Sequence, residues 1–278
     1  MLRSRFAVAL FMCNFIKVYL FYIMKNSTFL SLVFSFMIAT ATYSQTQQAE
    51  IIPTEKGDLT IQPILHATMV WEWNELIIYA DPYGGKEAFE GAKPPSLILI
   101  TDIHGDHMNT ETLEALSLFE TPIITCQAVA DLLPSTFTNV TVLNNGAKTL
   151  WNDIEIEAIP MYNLPESEDA KHTKGRGNGY VITLGGKRIY ISGDTEDIPE
   201  MRALQNIDVA FVCMNLPYTM EVTAAASAVL DFKPKTVYPF HYRGAGSKFS
   251  DVSKFKALVN EGDKSIDVRL LEWYPKKE

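Results

Sequence analysis

Residues 96–107 read SLILITDIHGDH, and this stretch decides the fold class and the kind of site. Its first half, Ser96–Thr101, is a continuous apolar run, which is typical of a strand buried on both faces of a sheet. Its second half places two Asp and two His within six residues, directly after that strand. Carboxylates and imidazoles bind metal ions, and a tight loop at a strand end can direct them toward two adjacent cations. The stretch therefore predicts a metal centre at the edge of a sheet.

A simpler interpretation of the same loop remains open. Asn109 or Thr110 could cap the next helix, and the polar residues before them could merely form the connection. That interpretation explains the Asp residues but not the paired His104 and His107.

Short apolar runs alternate with segments of helical spacing along the rest of the chain. The predicted strands are Ile61–Leu65, Thr68–Trp73, Leu76–Ala80, Ser96–Thr101, Val140–Leu143, Ile154–Ile159, Tyr180–Leu184, Arg188–Ser192, Asp208–Cys213, Thr236–Phe240 and Ile266–Leu271. The predicted helices are Thr112–Leu118, Gln127–Leu133, Val222–Leu230 and Val252–Val259. Asn74-Glu75 and Gly185-Gly186 suit hairpin turns. The alternation indicates one α/β domain over residues 50–278, with sheets inside and helices outside.

The composition excludes several classes of protein. With 47% hydrophobic and 21% charged residues, the chain is not largely disordered. Its three cysteines form no Cys-x-x-Cys pair, which excludes zinc-ribbon and thioredoxin-type sites. Cys126 and Cys213 lie in apolar contexts and are expected to be buried free thiols rather than a disulfide. A net charge of −9 disfavours binding of nucleic acid through a broad basic face.

Other candidate ligands also stand at the ends of predicted strands. Asp194 follows the strand Arg188–Ser192, and His241 follows Thr236–Phe240. Each of these signals is weak alone, because a lone Asp in a turn or a lone His is common. Together with the 102–107 cluster they indicate one site built from several strand ends.

The order of these pieces resembles the metallo-β-lactamase superfamily of binuclear metal hydrolases. The resemblance spans about Asp58 to Trp273 and implies a four-layer αββα sandwich. The matching pieces are Leu65-His66-Ala67-Thr68, Asp81-Pro82, the 102–107 cluster, Gly193-Asp194-Thr195 and His241. Within the superfamily, Ile159-Pro160-Met161-Tyr162-Asn163 and Tyr218-Thr219-Met220 resemble the branch that holds L-ascorbate-6-phosphate lactonase and N-acyl-phosphatidylethanolamine phospholipase D.

The resemblance implies a role for each candidate residue. Asp102, His104 and a third-motif His would hold one ion. Asp106, His107 and His241 would hold a second, with Asp194 bridging the two. Asp106 and Asp194 are also the candidates for moving a proton. Asp81 would support the ligands from behind, and His66 would line the site without binding metal.

Two positions depart from the family pattern. Asp102 stands where the family usually has His, and this harder ligand shifts the expected preference from zinc toward manganese or iron. The third-motif ligand is either His172 or Asn163. His172 is favoured, because an amide is a poor ligand for zinc.

The implied activity is hydrolysis of a small lactone, ester or phosphoester, anionic substrates included, by a metal-activated water, with two divalent ions, zinc first. Lys171, Lys174 and Arg176 form a basic cluster that could bind an anionic substrate group, Lys174 above all, or could be a solvated loop. The alternatives are a phosphodiesterase or nuclease of the same superfamily and a non-catalytic metal-binding protein. A small-molecule substrate is expected as partner, and no nucleic acid.

The N-terminal segment 1–44 differs from the rest, because it has long apolar runs, four basic residues and no acidic residue. Met24-Lys25-Asn26, the apolar run Phe29–Ala41 and Ala39-Thr40-Ala41 have the layout of a secretory signal peptide. Residues 1–23 would then be an upstream extension. The mature protein would be periplasmic or secreted, without a stable membrane span; an N-terminal membrane anchor is the alternative.

We expect the mature chain to begin between Ala41 and Gln45, because signal peptidases cleave after a small-x-small sequence. N-terminal sequencing of periplasmic or secreted protein checks this. An intact N-terminus on protein from the soluble cytoplasm would contradict it.

Overall fold

The computed structural model describes residues 49–274, which form two seven-stranded sheets in which neighbouring strands follow one another in the chain. The first sheet contains β1 (Glu50–Thr54), β2 (Gly57–Leu65), β3 (Thr68–Trp73), β4 (Leu76–Ala80), β5 (Leu97–Leu99), β6 (Ile123–Thr125) and β7 (Val140–Val142). The second contains β8 (Lys148–Trp151), β9 (Ile154–Met161), β10 (Gly177–Leu184), β11 (Lys187–Ile191), β12 (Val209–Cys213), β13 (Thr236–Phe240) and β14 (Asp267–Val268).

Each sheet begins antiparallel and ends parallel. The strands β1 to β4 pair antiparallel and β4 to β7 pair parallel. The strands β8 to β11 pair antiparallel and β11 to β14 pair parallel. Parallel strands require crossover connections. Within residues 49–274, these connections contain the helices. The helices are α1 (Thr110–Ala115), α2 (Gln127–Leu132), α3 (Pro199–Arg202), α4 (Val222–Phe232) and α5 (Val252–Gly262), with 3-10 turns at Lys86–Phe89 and Ala245–Ser247.

Side-chain alternation along the strands separates the layers. On β4, Ile78 and Ala80 belong to the core between the sheets, whereas Ile77 and Tyr79 belong to a second core on the outer face of the first sheet. This is the two-residue period of a strand that is buried on both faces. The second core includes residues of α1 and α2, while α4 and α5 bury side chains against the second sheet. The chain is therefore a four-layer αββα sandwich, which confirms the predicted fold class.

The two sheets meet at a close backbone contact that positions the site. The amide of Asn178 on β10 donates to the carbonyl of Thr101, just after β5, at 2.9 Å. A Cβ on the neighbouring Gly177 would lie 2.9 Å from that same carbonyl oxygen, so a larger residue would hold the sheets apart. The contact brings the loop before β10 next to residues 102–107.

The predicted elements agree with the structure at most positions. The strands Thr68–Trp73, Leu76–Ala80 and Thr236–Phe240 match β3, β4 and β13 residue for residue. The pattern missed β1, β6 and β8, which have five, three and four residues. Cys126 and Cys213 are buried free thiols, as predicted.

The predictions for segment 1–44, including the start at Met24, lie outside the described residues. Within residues 49–274, every helix is too short or too polar to span a bilayer.

We expect Phe211→Ala to lower the free energy of unfolding by about 3–5 kcal/mol, because it leaves a cavity between the sheets. Phe211 is fully buried, and its ring lies 5.1 Å from that of Tyr238 and 6.1 Å from that of Trp71. Denaturant unfolding measures the change. Leu150→Ala is the control, since Leu150 is 71% exposed on β8 and should change the value by less than about 0.5 kcal/mol. Equal effects of the two substitutions would contradict the packing described.

Candidate metal centre

Five strand ends and one loop converge at one edge of the sandwich. His66, Asp81 and His241 are each the first residue after a strand, and their φ angles are 54°, 45° and 45°. This left-handed conformation is unfavourable for non-glycine residues, by about 1–3 kcal/mol each, so the surrounding structure must hold it. The same left-handed backbone conformation, directly after three different strands, therefore positions these three side chains.

One group of candidate ligands contains Asp102, His104 and His172. Each offers one ligand atom, and these atoms all lie within 4.8 Å of one another. The Nε2 atom of His172 lies 3.7 Å from Oδ2 of Asp102, and the His104 and His172 rings are 5.1 Å apart. Asp102 also contacts Nδ1 of His104. The structure thus brings together the three residues that the sequence assigned to one ion.

The second group contains His107, Asp194 and His241. Asp194 lies 3.5 Å from Nε2 of His107 and 3.4 Å from Nε2 of His241. Asp106 reaches the same group, with Oδ2 at 3.4 Å from Nε2 of His241. Asp194 also lies 3.4 Å from Nε2 of His172, a member of the first group. It therefore faces both groups, as a bridging ligand must.

Two buried polar atoms at the centre have no hydrogen-bond partner. They are Nε2 of His107 and Oδ1 of Asp194. An unsatisfied buried group costs about 1–3 kcal/mol, and more when charged, so natural proteins rarely leave one without a reason. A cation between these atoms would satisfy both. The donor set of imidazoles and carboxylates fits zinc, manganese or iron.

His107 is oriented by a carboxylate behind it. Oδ2 of Asp81 lies 2.8 Å from Nδ1 of His107, and Thr101 donates to both carboxylate oxygens of Asp81. The contact with Asp81 favours the proton on Nδ1 and leaves the Nε2 lone pair facing Asp194. Asp81 occupies the supporting position that the resemblance implied.

Asn163 supports His172 in a similar way. Its side-chain oxygen accepts the His172 amide at 2.8 Å and lies 3.2 Å from Nδ1 of the ring. Its amide nitrogen donates to the carbonyl of Tyr218. His172 therefore points Nε2 toward Asp102 and Asp194, while Asn163 stands behind the ring. The geometry favours His172 as the ligand.

Imidazole–carboxylate pairs balance the charges within the cluster. Burial opposes ionisation of Asp102, but His104, His107 and His172 nevertheless lower its pKa to about 2. Burial likewise disfavours a charged His107, yet Asp194 and Asp81 raise the pKa of its ring well above 6.5. Because an imidazole binds a cation only through an unprotonated nitrogen, a cation and a proton would compete for this cluster.

His66 borders the second group. Its Nδ1 lies 3.3 Å from Nδ1 of His241, and burial, His241 and Arg243 lower its pKa to about 4. The ring is neutral at pH 7. With Asp106 and His241, His66 also forms a further set of candidate ligands, whose ligand atoms lie within 4.8 Å of one another, whereas the sequence predicted that it lines the site without binding metal.

Two residues of the basic cluster form ion pairs within the protein. Lys174 pairs with Glu166 at 2.9 Å and Glu200 at 3.5 Å, and it lies 4.6 Å from the Tyr162 ring centroid. None of these is a candidate ligand. Arg176 instead contacts Asp102 directly, at 3.1 Å and 3.3 Å.

The sequence did not reveal Asn215, which lies between two candidate ligands. Its Nδ2 is 3.3 Å from Oδ2 of Asp194 and 3.3 Å from Nε2 of His241. Asn215 stands two residues after β12, so its position at the end of a parallel strand was the signal that could have found it.

Comparisons with known proteins agree with this geometry. Residues 60–241 match the family model described as the beta-lactamase superfamily domain. A UPF0173 metal-dependent hydrolase of Pyrococcus abyssi is 33% identical over 210 residues, which cover 72% of this chain and 91% of the relative.

Solved structures show the same similarity. A protein of Parabacteroides distasonis, provisionally named a metal-dependent hydrolase, is 36% identical with a TM-score of 0.72, over 82% of this chain and 100% of that one. The metallo hydrolase Igni18 of Ignicoccus hospitalis, at 24% identity and a TM-score of 0.66 over 77% and 95%, shares the fold. With its edge of clustered Asp and His residues, the chain belongs to the beta-lactamase superfamily, among the UPF0173 metal-dependent hydrolases.

Proposed function

We propose that the protein binds two divalent ions, zinc first and manganese or iron as alternatives, and hydrolyses a small lactone, ester or phosphoester. The observation that carries the proposal is the pair of buried atoms without a hydrogen-bond partner on His107 and Asp194, within the second group and next to the first. Asp102, His104 and His172 would hold one ion, and Asp106, His107 and His241 the other. Asp194 faces both.

Bound divalent ions lower the pKa of water from about 15.7 to about 7, so no Ser or Cys nucleophile is required. The chain contributes orientation: Asp81 fixes the tautomer of His107, and Asn163 fixes the ring of His172. Both effects aim Nε2 at the centre and reduce the rearrangement that the reaction would need.

Asp106 is the candidate for moving the proton. Its side chain is 35% exposed, whereas that of Asp194 is only 5% exposed, so Asp106 alone of the two connects the centre with solvent. Burial disfavours its charge, but the hydrogen bond from His241 and the His107 ring keep the pKa of Asp106 low. As an ionised carboxylate it can accept a proton and release it to water.

We expect the purified protein to hold close to two divalent ions, and His241→Ala and Asp194→Asn to lose at least one of them. Hydrolysis should fall more than about 100-fold, beyond the range typical for residues behind the ligands. Elemental analysis gives the metal content, and a panel of a lactone, a p-nitrophenyl ester and bis-p-nitrophenyl phosphate gives the activity.

Asp208→Asn is the matched control for those variants. Asp208 pairs with Lys235 just before β12, at the end of that strand away from Asn215, and its substitution should leave the metal content unchanged. Full metal content in both site variants would contradict the assignment. Two bound ions without turnover on the whole panel would favour the non-catalytic alternative, and turnover of the phosphodiester alone would favour a phosphodiesterase.

Asp102 supplies a separate test of the first group. We expect Asp102→Ala to lose one ion and most activity, because it removes a ligand and leaves Arg176 facing the centre unpaired. Asp102→His should keep two ions with a stronger preference for zinc, since imidazole is the softer ligand. Metal stoichiometry and zinc-versus-manganese competition measure both effects. Unchanged stoichiometry in Asp102→Ala would show that the first ion is held without this residue.

A further inference from the structure

Arg243 lies at the rim of the candidate metal centre, two residues after His241. Its Nη2 donates to Nε2 of His66 at 2.6 Å. Its guanidinium carbon lies 4.6 Å from the ring centroid of Tyr274, a cation–π distance. The cation is half-buried and is held by two neighbours that carry no negative charge.

These neighbours connect Arg243 with the centre. Nδ1 of His66 lies 3.3 Å from Nδ1 of His241 and 3.3 Å from the hydroxyl of Tyr274. The rings of His66 and His241 are 5.1 Å apart, edge to face. Arg243 is therefore placed one imidazole ring away from a candidate ligand.

Arg243 differs from the other arginines between residues 49 and 274 in its charge environment. Each of the other four has a carboxylate oxygen within 4.0 Å; they are Arg176, Arg188, Arg202 and Arg269. In the same range of the chain, Arg243 has no Asp or Glu at that distance. A guanidinium has five N–H donors and no acceptor, so those not used by His66 can bind an anion.

Of the three basic residues that the sequence offered for this task, Lys171 is exposed with its Nζ 5.8 Å from the Tyr218 ring centroid, and the other two are already paired. Lys174 is neutralised by Glu166 and Glu200, and Arg176 by Asp102. An anionic ligand would have to displace a carboxylate from either of them. At Arg243 it would meet a cation that is oriented and has no carboxylate to displace.

We propose that Arg243, held by His66 and Tyr274, binds an anionic group of the substrate, either a carboxylate or a phosphate. This rests on the proposed hydrolase function and adds a substrate class to it. Because the His66 ring separates Arg243 from the centre, the anionic group is not the one that is cleaved. The substrate would carry it a short spacer away from the scissile bond. Arginine suits both groups through paired N–H donors.

Small acids with two anionic groups, called two-headed acids below, test the proposal directly. Succinate carries a second carboxylate, 3-phosphonopropionate carries a phosphonate in its place, and acetate has one head only. Isothermal titration calorimetry on the metal-loaded protein should show at least one two-headed acid binding about tenfold or more tightly than acetate. The more tightly bound of the two distinguishes a carboxylate from a phosphate site.

Substitutions at Arg243 and at a control position then show which residue causes the tighter binding of the two-headed acid. Arg243→Gln should abolish the preference over acetate with unchanged metal content, and Arg243→Lys should keep part of it, since charge without the planar fork remains. Lys248→Gln is the matched control, because Lys248 is an exposed cation of the same loop and should leave the preference intact.

Three results would overturn the proposal. They are no preference for either two-headed acid in the wild type, the same preference in Arg243→Gln, and a preference that is lost in Lys174→Gln instead. The binding measurement needs no turnover, so it separates this inference from the proposed hydrolysis. A protein that hydrolyses nothing on the panel but shows the Arg243-dependent preference would refute the activity alone.

Discussion

The need to compensate one buried carboxylate, that of Asp194, organises the functional end of this molecule. Asp194 is buried and faces the Nε2 atoms of three imidazoles, those of His107, His172 and His241, at 3.4–3.5 Å. An ionised carboxylate removed from water is very costly unless charges or hydrogen bonds surround it. Those three rings come from three separate segments of the chain. The loops that carry them must therefore meet at one point for Asp194 to be buried at all.

The sandwich provides that meeting point through the direction of its strands. In each sheet the parallel strands place their carboxyl ends at the same edge, where the residues that follow them accumulate. Left-handed residues after β2, β4 and β13 turn the backbone there. Gly177 lets the second sheet approach Thr101 closely, which adds the loop of His172 to the same edge. The αββα architecture is thus the means by which distant ligands reach one another.

Charge also explains how the first group accommodates a carboxylate at its centre. Asp102 is buried there, at a position where the resemblance implied an imidazole. Arg176, from the loop before β10, lies within 3.1 Å of it and offsets that charge. Arg243 stands at the other side of the centre without a carboxylate partner in the described chain. The two arginines therefore differ in their charge environment. Arg176 compensates the charge of Asp102, whereas Arg243 is available to an anionic ligand.

The sequence by itself determined the layers, the cluster at 102–107 and the strand-end positions of Asp194 and His241, because periodicity and local spacing are properties of neighbouring residues. Only the tertiary structure shows that Nε2 of His172 faces Asp102 and Asp194 while Asn163 stands behind the ring, since this depends on which side chain points inward. It also paired Lys174 with Glu166 and Glu200, and it brought Asn215 to the centre and Arg243 to its rim. Such pairings join residues far apart in the chain, and no local pattern specifies the distance between them. Packing of the two sheets sets that distance, and with it which arginine between residues 49 and 274 has no carboxylate within 4.0 Å.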